Sequence, residues 1–352
     1  MPSTARDRRT PVRLAIVGAG TIGRVHLERM RASDDVEIVG IVDPSPAAAR
    51  IADEFATTCC SSIASLMADQ RPDGVIVATP TEHHLAPVLE LLDAGAHVLV
   101  EKPIAATVDE AEQMIARAEA NRRQVLVGHH RRYYPLLRKT REWIACGNIG
   151  RLIALHAHWT LKKPDSYFAA DWRKKRAAGP VLTNLIHEMD TLRFICGEIR
   201  SISAELSDRV HNFEKEDAAA LVLTFESGAI GTVLISDGTP APWAWELATG
   251  ENPDFPAVGE NTHRFSGTRA SLEFPNPVLW KHGGAGLGWH DIMEREVLPC
   301  EEADPYARQI AHFCAVVRGE EEPLVPARDA TRTLAAVAAV FDAARSGTRI
   351  LV

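Results

Sequence analysis

Residues 12–23 read VRLAIVGAGTIG, an apolar run followed by glycines at positions 18, 20 and 23. Glycines in this spacing allow a tight turn after a strand, close approach of the backbone to a pyrophosphate, and tight packing of the next helix against the strand. The N-terminus of that helix presents free N–H groups and the positive end of its dipole to phosphate. The predicted dinucleotide-binding residues of this stretch are Gly18, Gly20, Thr21, Ile22 and Gly23.

An acidic residue, Asp43, follows the next apolar run and lies 20 residues beyond Gly23. A carboxylate at this point binds the adenosine ribose hydroxyls and repels a 2′-phosphate. The residues that follow, Pro44-Ser45-Pro46, include no arginine that could receive such a phosphate. The pattern therefore predicts NAD as the cofactor and makes NADP the less favoured one. The alternative is a Gly-rich turn whose aspartate only caps the next helix.

Up to Gly128, short apolar runs alternate with helical stretches, which is typical of a parallel sheet covered on both faces. The expected strands are Val12–Val17, Val36–Val42, Gly74–Ala78, His97–Val100 and Gln124–Val127. The expected helices are Ile22–Arg31, Ala47–Phe55, Glu82–Ala94 and Asp109–Asn121, the last with a capping pattern at Thr107 and Glu110. We predict an α/β Rossmann domain over residues 1–128.

After Gly128 the pattern changes to alternating strands, at Arg151–Thr160, Ala218–Phe225 and Ala229–Ser236. The last two are separated by a hairpin turn at residues 226–228, which indicates antiparallel pairing. The expected helices here are Pro135–Cys146, Val181–Cys196, Pro305–Arg318 and Asp329–Ala344. We predict that residues 129–352 form an α+β domain with a large, mainly antiparallel open sheet, with packing of the C-terminal helix on the first domain as an open alternative.

Composition and charge limit the classes of partner. Hydrophobic residues make up 46% and charged residues 24% of the chain, as in ordinary globular proteins. A formal net charge of −8 argues against binding of nucleic acid, and a membrane span would need about 18 consecutive apolar residues, which are absent from the sequence. The 6 cysteines include no Cys-x-x-Cys pair and are expected to be reduced thiols of a cytoplasmic protein. We expect small-molecule partners.

Further motifs carry a family resemblance. With the glycine stretch, the segments ATPTEHH at 78–84 and VEKP at 100–103 and the later Gly228 resemble the Gfo/Idh/MocA family of oxidoreductases, from about Val12 to Val352. The resemblance implies a Rossmann domain, an open C-terminal sheet used for oligomerisation, and hydride transfer between nicotinamide and a carbon that bears a hydroxyl. It implies a homodimer or homotetramer, and substrates that are mostly sugars, inositols and other cyclic alcohols. The residues it adds to the NAD site are Thr79, Pro80, His83, Glu101 and Lys102.

Lys102 lies at the carboxyl end of a predicted parallel strand, where open α/β sheets bind their ligands. The family resemblance assigns the Glu-Lys-Pro lysine a catalytic role. We expect Lys102 to orient the substrate and relay its proton, with partial desolvation beside oxidised nicotinamide pushing its pKa downward. The alternative is a surface lysine before a proline turn.

The segment PVLTNLIHEMD, residues 180–190, resembles the second catalytic segment of the family. Its His187 has the natural chemistry of a general acid or base near neutral pH. The commonest family pattern has an aspartate four residues earlier, where this chain has Thr183. On a regular helix Thr183 and Asn184 share a face with His187 and can hydrogen-bond a polyol. We expect Lys102 and His187 to act on one hydroxyl; a structural histidine is the alternative.

Four more residues are candidate substrate contacts. Arg173 can clamp an oxygen-rich substrate and Trp172 can present a ring face to a sugar, although Lys174-Lys175-Arg176 make a solvated basic loop the alternative. His130 and Tyr133 follow the last predicted Rossmann strand. The clustered histidines 83, 84, 129 and 130 have no cysteine or carboxylate at a spacing that completes a ligand set, so we expect no metal.

Residues 129–176 contain 12 Lys or Arg and 3 Asp or Glu, a formal charge of +9 in an acidic chain. Such a region attracts an acidic group on a substrate, or else it is a solvated face or a subunit contact. The sequence predicts an NAD-dependent oxidoreductase that acts on CH–OH groups of a sugar, inositol or related cyclic polyol, with an acidic substrate as one option. The alternatives are an enzyme that cleaves glycosides through transient oxidation and a non-catalytic nucleotide-sensing regulator.

Overall fold

A computed structural model of the chain describes residues 10–284, 286–299, 301 and 303–352, so that Cys300 lies outside the described residues. Two compact units are present. The first contains the described residues up to Tyr133 together with Ala303–Leu334; the second contains those from Tyr134 to 301 together with Ala335–Val352. The first unit thus extends past the predicted boundary at Gly128 and includes a late segment, because Val325 and Leu334 pack into its core.

The secondary structure alternates between strands and helices in the first third of the chain and is sheet-rich afterwards. The strands are β1 (Val12–Val17), β2 (Val36–Val42), β3 (Cys59–Cys60), β4 (Gly74–Val77), β5 (His97–Val100), β6 (Val125–Val127), β7 (Leu152–Thr160), β8 (Ile199–Ser207), β9 (Ala218–Phe225), β10 (Ile230–Ser236), β11 (His263–Gly267), β12 (Ala270–Phe274), β13 (Val278–His282), β14 (Met293–Val297) and β15 (Ile350–Leu351). The α-helices are α1 (Thr21–Arg31), α2 (Ala48–Glu54), α3 (Ile63–Asp69), α4 (Leu85–Asp93), α5 (Val108–Asn121), α6 (Pro135–Ala145), α7 (Ile186–Cys196), α8 (Trp245–Thr249), α9 (Pro305–Val317) and α10 (Ala327–Ser346).

The first unit contains a six-stranded sheet in the order β3-β2-β1-β4-β5-β6. Every pair of neighbouring strands in it is parallel. All four residues of β4 are buried, as are the three of β6, because helices cover both faces of such a sheet. The predicted α/β Rossmann architecture is confirmed. Because the strands are parallel, their carboxyl ends share one edge of the sheet, and Gly18, Asp43 and Glu101 follow β1, β2 and β5 there.

The second unit is built on a nine-stranded sheet in the order β14-β13-β12-β11-β7-β10-β9-β8-β15. The predicted mainly antiparallel sheet is confirmed, although β10 runs parallel to β7. A turn with Gly228 at φ +85 joins β9 to β10, as its position between the two strands predicts. Helix α7 is buried from Ile186 to Ile195 and packs into the core of this unit.

The predicted helix Val181–Cys196 consists of two kinds of helix. Residues Val181–Leu185 form a π-helix, and the α-helix α7 begins only at Ile186. Hydrogen bonds in a π-helix span five residues, so the angular step differs from that of an α-helix. The expectation that Thr183 and Asn184 share a face with His187 on one regular helix therefore loses its basis. Short π segments occur often at functional sites.

Two other expectations concern the cysteine thiols and membrane-spanning segments. Cys59, Cys60, Cys146, Cys196 and Cys314 are free. In the described part of the chain, no helix combines the length and the apolar character that crossing a membrane requires.

Candidate active site

The three glycines of the first turn differ in what surrounds them. Gly18 has φ +94, and a Cβ there would lie 2.7 Å from the carbonyl oxygen of Ala78. A Cβ on Gly23 would lie 2.1 Å from the carbonyl oxygen of Gly18. A Cβ on Gly20 would meet no described atom within 4 Å. The fold itself therefore requires the first and third glycines, whereas the second leaves open space where a ligand can approach the backbone.

Helix α1 begins directly after this turn, at Thr21. No side chain caps it at Gly20, and its first turn contains no acidic residue. The N–H groups at the start of an α-helix have no partner within the helix, so a phosphate can accept hydrogen bonds from them. The backbone N–H groups of Thr21 and Ile22 lie at this helix start, where a bound phosphate would accept hydrogen bonds.

Asp43 is held against the glycine turn by backbone hydrogen bonds. The N–H of Ala19 donates to Oδ2 at 2.7 Å, and the N–H of Ser45 donates to Oδ1 at 2.8 Å. Burial tends to raise the pKa of Asp43, but the hydrogen bonds from Ser45 and Ala19 outweigh it and hold the pKa below its usual value. The carboxylate is therefore charged and can accept ribose hydroxyls through its remaining lone pairs. It caps no helix, because α2 begins at Ala48 after an uncapped Ala47. These residues fit NAD.

Glu101 and Lys102 follow β5, and the peptide bond between Lys102 and Pro103 is cis. Nε2 of His26, on α1, lies 2.8 Å from Oε1 of Glu101, and the backbone N–H of Lys102 donates to Oε2 at 3.1 Å. A Cβ on Gly128 would lie 2.9 Å from the Glu101 carboxylate, so the chain there must be glycine. Glu101 is buried, and Lys102 is partly exposed. A buried carboxylate thus orients the loop of the candidate catalytic lysine.

The electrostatic surroundings keep Glu101 ionised. Burial raises the pKa of this carboxyl group, whereas the hydrogen bond with His26 and the electrostatic interactions with His26, Lys102 and His130 lower it. The net effect is a pKa below the usual value.

His130 belongs to the same cluster, together with Tyr306 of α9, which the sequence did not single out. The His130 ring stacks on the Tyr306 ring with centroids 4.5 Å apart, and the His26 ring meets Tyr306 edge-on at 5.7 Å. Tyr133 instead packs in the hydrophobic core of the first unit, with burial raising the pKa of its hydroxyl. We therefore do not assign Tyr133 to the substrate site.

The segment after β4 is fastened to the Glu-Lys-Pro loop by a residue outside the predicted set, His84. Its Nδ1 lies 2.9 Å from the carbonyl oxygen of Pro103, and its Nε2 lies 2.9 Å from that of Thr79. His84 is buried, whereas the predicted residue His83 is exposed and its carbonyl accepts from the Thr79 hydroxyl at 3.1 Å. His84 therefore positions the two loops. Pro80, which follows Thr79, is exposed.

In the second unit, the π segment brings Thr183 and Asn184 together with a lysine, Lys163. The Thr183 hydroxyl lies 2.8 Å from Oδ1 of Asn184 and 2.9 Å from the carbonyl oxygen of Gly179. Nζ of Lys163 lies 3.5 Å from Oδ1 of Asn184. His187 is 8% exposed on α7. The polar groups that the sequence predicts are present. Lys163 is an additional polar residue of this group, which the sequence did not single out.

Lys163 adjoins a buried charge cluster around Lys215, which has no exposed surface. Nζ of Lys215 donates to Asp237 at 3.0 Å and to Asp217 at 3.2 Å, and Asp217 lies 2.6 Å from Nδ1 of His211. His211, Asp217 and Asp237 are close enough together to ligate a metal ion. The ammonium of Lys215 already supplies the positive charge that these carboxylates need, so we assign no metal here.

The remaining candidates lie in different surroundings. Trp172 is 62% exposed, and Arg173 donates to the carbonyl oxygen of Tyr167 at 2.9 Å while its guanidinium stacks on the Tyr167 ring. Arg131 and Arg132 are buried, and Arg132 pairs with Asp329. Because both are buried, these two arginines cannot form the exposed basic surface suggested by the charge count.

Comparisons with known proteins agree with this geometry. The family described as an oxidoreductase family with an NAD-binding Rossmann fold matches residues 12–129, and the GFO/IDH/MocA C-terminal domain matches residues 137–273. The chain is 28% identical to a 1,5-anhydro-D-fructose reductase from Ensifer adhaerens over 340 residues, 95% of this chain and 97% of that protein. It is 25% identical to an inositol 2-dehydrogenase from Rhizobium meliloti (strain 1021), over 92% of this chain and 94% of that protein.

A solved structure shows the same fold. The WlbA dehydrogenase from Bordetella pertussis, in complex with NADH and UDP-GlcNAcA, superposes with a TM-score of 0.79 at 23% identity, over 97% of this chain and 99% of that one.

Proposed function

Because this chain belongs to the Gfo/Idh/MocA family of NAD-binding oxidoreductases, we propose that it transfers a hydride between NAD and a hydroxyl-bearing carbon of a sugar, inositol or related cyclic polyol. The observation that carries the proposal is the Glu101–Lys102 pair. Lys102 follows β5 at the sheet edge that also carries the glycine turn and Asp43, and its backbone is fixed by the ionised Glu101. A structural lysine would not need such an arrangement beside a cofactor site.

Different residues of the chain bind the cofactor and transfer the proton in this proposal. NAD, when bound, supplies or accepts the hydride. Gly20, Thr21 and Asp43 bind its pyrophosphate and ribose through backbone N–H groups and a carboxylate. Lys102 orients the substrate hydroxyl and relays its proton, while His187 exchanges a proton as general acid or base.

Substrate contacts in this proposal come from the second unit. Thr183 and Asn184 supply a hydroxyl and an amide that hydrogen-bond the hydroxyls of a polyol. Neither can accept a proton as a carboxylate can, so the proton chemistry rests on Lys102 and His187. Trp172, which is exposed, and Arg173 are further candidates for contact with a sugar ring and its oxygens.

One assay separates the candidate functions. A panel of polyols, sugars, sugar acids and cyclic diols is incubated with the protein and NAD, and NADH is followed by its absorbance. Net NADH formation with a member of the panel supports the dehydrogenase. Cleavage of a glycoside without net NADH would indicate the glycoside-cleaving alternative, and binding of NAD without any turnover would indicate a sensor.

We also propose a homodimer or homotetramer that is held together by the large sheet of the second unit, in a cytoplasmic protein with reduced thiols. One face of that sheet exposes apolar side chains that a second copy would cover. They are Val222, Ile230 and Leu234, between 40% and 55% exposed, which the alternation along β9 and β10 places on one face. Light scattering coupled to size-exclusion chromatography measures the mass, and a monomer would contradict this part of the proposal.

A further inference from the structure

Lys163 lies in the second unit beside the residues expected to contact substrate. Its Nζ is 3.2 Å from Oδ2 of Asp237 and 3.5 Å from Oδ1 of Asn184. The same atom lies 4.9 Å from the centroid of the Tyr167 ring and 5.8 Å from that of Trp159. Only 11% of the lysine side chain is exposed. A carboxylate and two aromatic rings therefore hold the ammonium group in one place.

The acceptors around this ammonium group are already in use. Both oxygens of Asp237 accept from Lys215 at 3.0 Å. Oδ1 of Asn184 also accepts from the Thr183 hydroxyl, at 2.8 Å. Because an ammonium group only donates, Lys163 contacts the oxygen of the Asn184 amide, which leaves the NH₂ group of that amide as a second donor.

The hydrogen-bonding capacity of Lys163 and Asn184 that these contacts leave unused consists of donors. Lys163 has three N–H bonds and two neighbouring acceptors, and the described residues offer it no third. The NH₂ group of Asn184 likewise has no acceptor among the residues that the structure describes. Paired donors match a group that only accepts hydrogen bonds, such as an ionised carboxylate, whereas a hydroxyl also needs an acceptor.

We propose that Lys163 and Asn184 form a subsite for the carboxylate of an acidic sugar or polyol acid, and that this subsite determines substrate specificity. The inference rests on the proposed oxidoreductase function. It also gives the basic region of residues 129–176 a specific role, because Lys163 belongs to that region and, unlike Arg132, lies beside the candidate substrate residues.

Neighbouring charges act on Lys163 in both directions. Burial lowers the pKa of Lys163, and the nearby Lys215 lowers it further, while Asp237 and Glu246 act in the opposite direction. Two lysines thus contact the carboxylate of Asp237, and Lys215 also contacts that of Asp217. A substrate carboxylate at Nζ would give Lys163 an acceptor that it does not share with Lys215.

The test compares Lys163→Met with a matched control, Lys162→Met. Methionine keeps the length and apolar packing of the lysine stem, and Asp237 retains Lys215 as its partner. Lys162 is the adjacent lysine and is exposed. Calorimetry on the full chain saturated with NADH measures the affinities for two matched pairs of probes, D-glucuronate with D-glucose and D-galacturonate with D-galactose.

We expect the wild type to bind the acid of at least one pair more tightly than the neutral sugar. Lys163→Met should weaken binding of that acid by about tenfold to a hundredfold, the range for a charged hydrogen bond, and leave the neutral sugar nearly unchanged. Lys162→Met should behave as the wild type. Asn184→Ala should weaken acid binding to a smaller extent, and Lys163→Arg should restore part of it; these two variants decide the matter should Lys163→Met fail to fold.

Two results would overturn the subsite. The first is a wild type that binds the acid no more tightly than the neutral sugar in either pair. The second is an equal loss of affinity for acid and neutral sugar in Lys163→Met, which would indicate a structural role for the lysine. The outcome for the proposed function is separate. If Lys163→Met loses acid binding but no probe or panel member reduces NAD, the subsite is supported and the proposed oxidoreductase function is contradicted. If neutral sugars reduce NAD but Lys163→Met keeps the preference of the wild type, the function is supported and the subsite is contradicted.

Discussion

Nε2 of His26 lies 2.8 Å from Oε1 of Glu101, across a separation of 75 residues in the chain. The side chains of the pair are 0% and 7% exposed. The other carboxylate oxygen of Glu101 accepts the backbone N–H of Lys102 at 3.1 Å. Helix α1 therefore supplies both the phosphate-facing N-terminus of the NAD site and, through His26, a support for the loop of the candidate catalytic lysine.

Replacement of His26 by leucine should destabilise the first unit. Glu101 would keep its burial and lose the His26 hydrogen bond, a change that costs about 1–3 kcal/mol of the free energy of unfolding. His26→Gln retains an N–H donor and should lose less. Urea unfolding at pH 7 measures both variants, and equal stability of His26→Leu and wild type would show that the bond contributes nothing.

The same pair predicts a pH dependence. The pKa of Glu101 in the folded protein lies below its ordinary value of 4.5, because the His26 bond and nearby positive charges outweigh burial. A carboxyl group with a lowered pKa stabilises the fold above its unfolded pKa, and this stability is lost as the pH falls through the folded value. The stability difference between wild type and His26→Leu should therefore shrink as the pH is lowered below 4.5. A difference that grows on acidification contradicts this assignment.

Gly20 and Gly23 provide a matched pair of substitutions. Gly23→Ala forces a Cβ to within 2.1 Å of a backbone oxygen and should cost roughly 1–3 kcal/mol of stability, as overpacking does. Gly20→Ala meets no described atom within 4 Å, so the melting temperature should change little while the affinity for NAD falls. Thermal unfolding and NAD calorimetry on both variants test the pair. Unchanged NAD affinity in a folded Gly20→Ala protein would show that the cofactor does not approach this glycine.

Asp43 should determine the choice between NAD and NADP. Asp43→Ala removes a charged acceptor for ribose hydroxyls and should weaken NAD binding by about tenfold or more. NADP should lose less, because the substitution also removes the repulsion of its 2′-phosphate. Calorimetry gives both dissociation constants. Tighter binding of NADP than of NAD to the unmodified protein would contradict the role of this carboxylate.

Local pattern predicted much of the fold. β1, β2, β5 and β9 begin and end at the predicted residues, since each is an apolar or alternating run bounded by polar or turn-forming residues. β11–β14 were not predicted, because the stretch between residues 237 and 300 is rich in Gly, Pro and Trp and lacks a regular period. The two-residue β3 is too short to give a signal, and its pairing with β2 depends on the sheet.

The site was harder to predict, because its supporting contacts join residues that are distant in sequence. The glycine turn and the Glu-Lys-Pro loop are local motifs, whereas the His130–Tyr306 stack joins β6's end to α9. The sequence suggested that Arg132 is part of a basic surface. Its burial could not be predicted, because its partner Asp329 lies 197 residues away in the chain. The π segment before α7 likewise leaves no mark in the hydrophobic period of residues 181–196.

Lys102 and His187 are the two candidate proton-transfer residues. Lys102 follows β5 beside the NAD-binding turn, and His187 lies on α7 after the polar residues of the π segment. If either residue handles the reacting proton, its replacement by alanine should lower kcat by roughly 10²- to 10⁴-fold, the range for loss of a general acid or base. The affinity for NAD, measured by calorimetry, should remain nearly unchanged for His187→Ala.

Two further variants test whether Lys102 and His187 act together: the double replacement and Thr183→Ala. Residues that act as a unit give non-additive losses, so Lys102→Ala with His187→Ala should lose little more than the worse single variant. Thr183→Ala should be the milder change, because a hydroxyl can position a substrate but is too weak a base to accept its proton at neutral pH. Near-normal turnover of Lys102→Ala on a substrate found in the panel would remove this lysine from the mechanism, and the family resemblance would then report the fold alone.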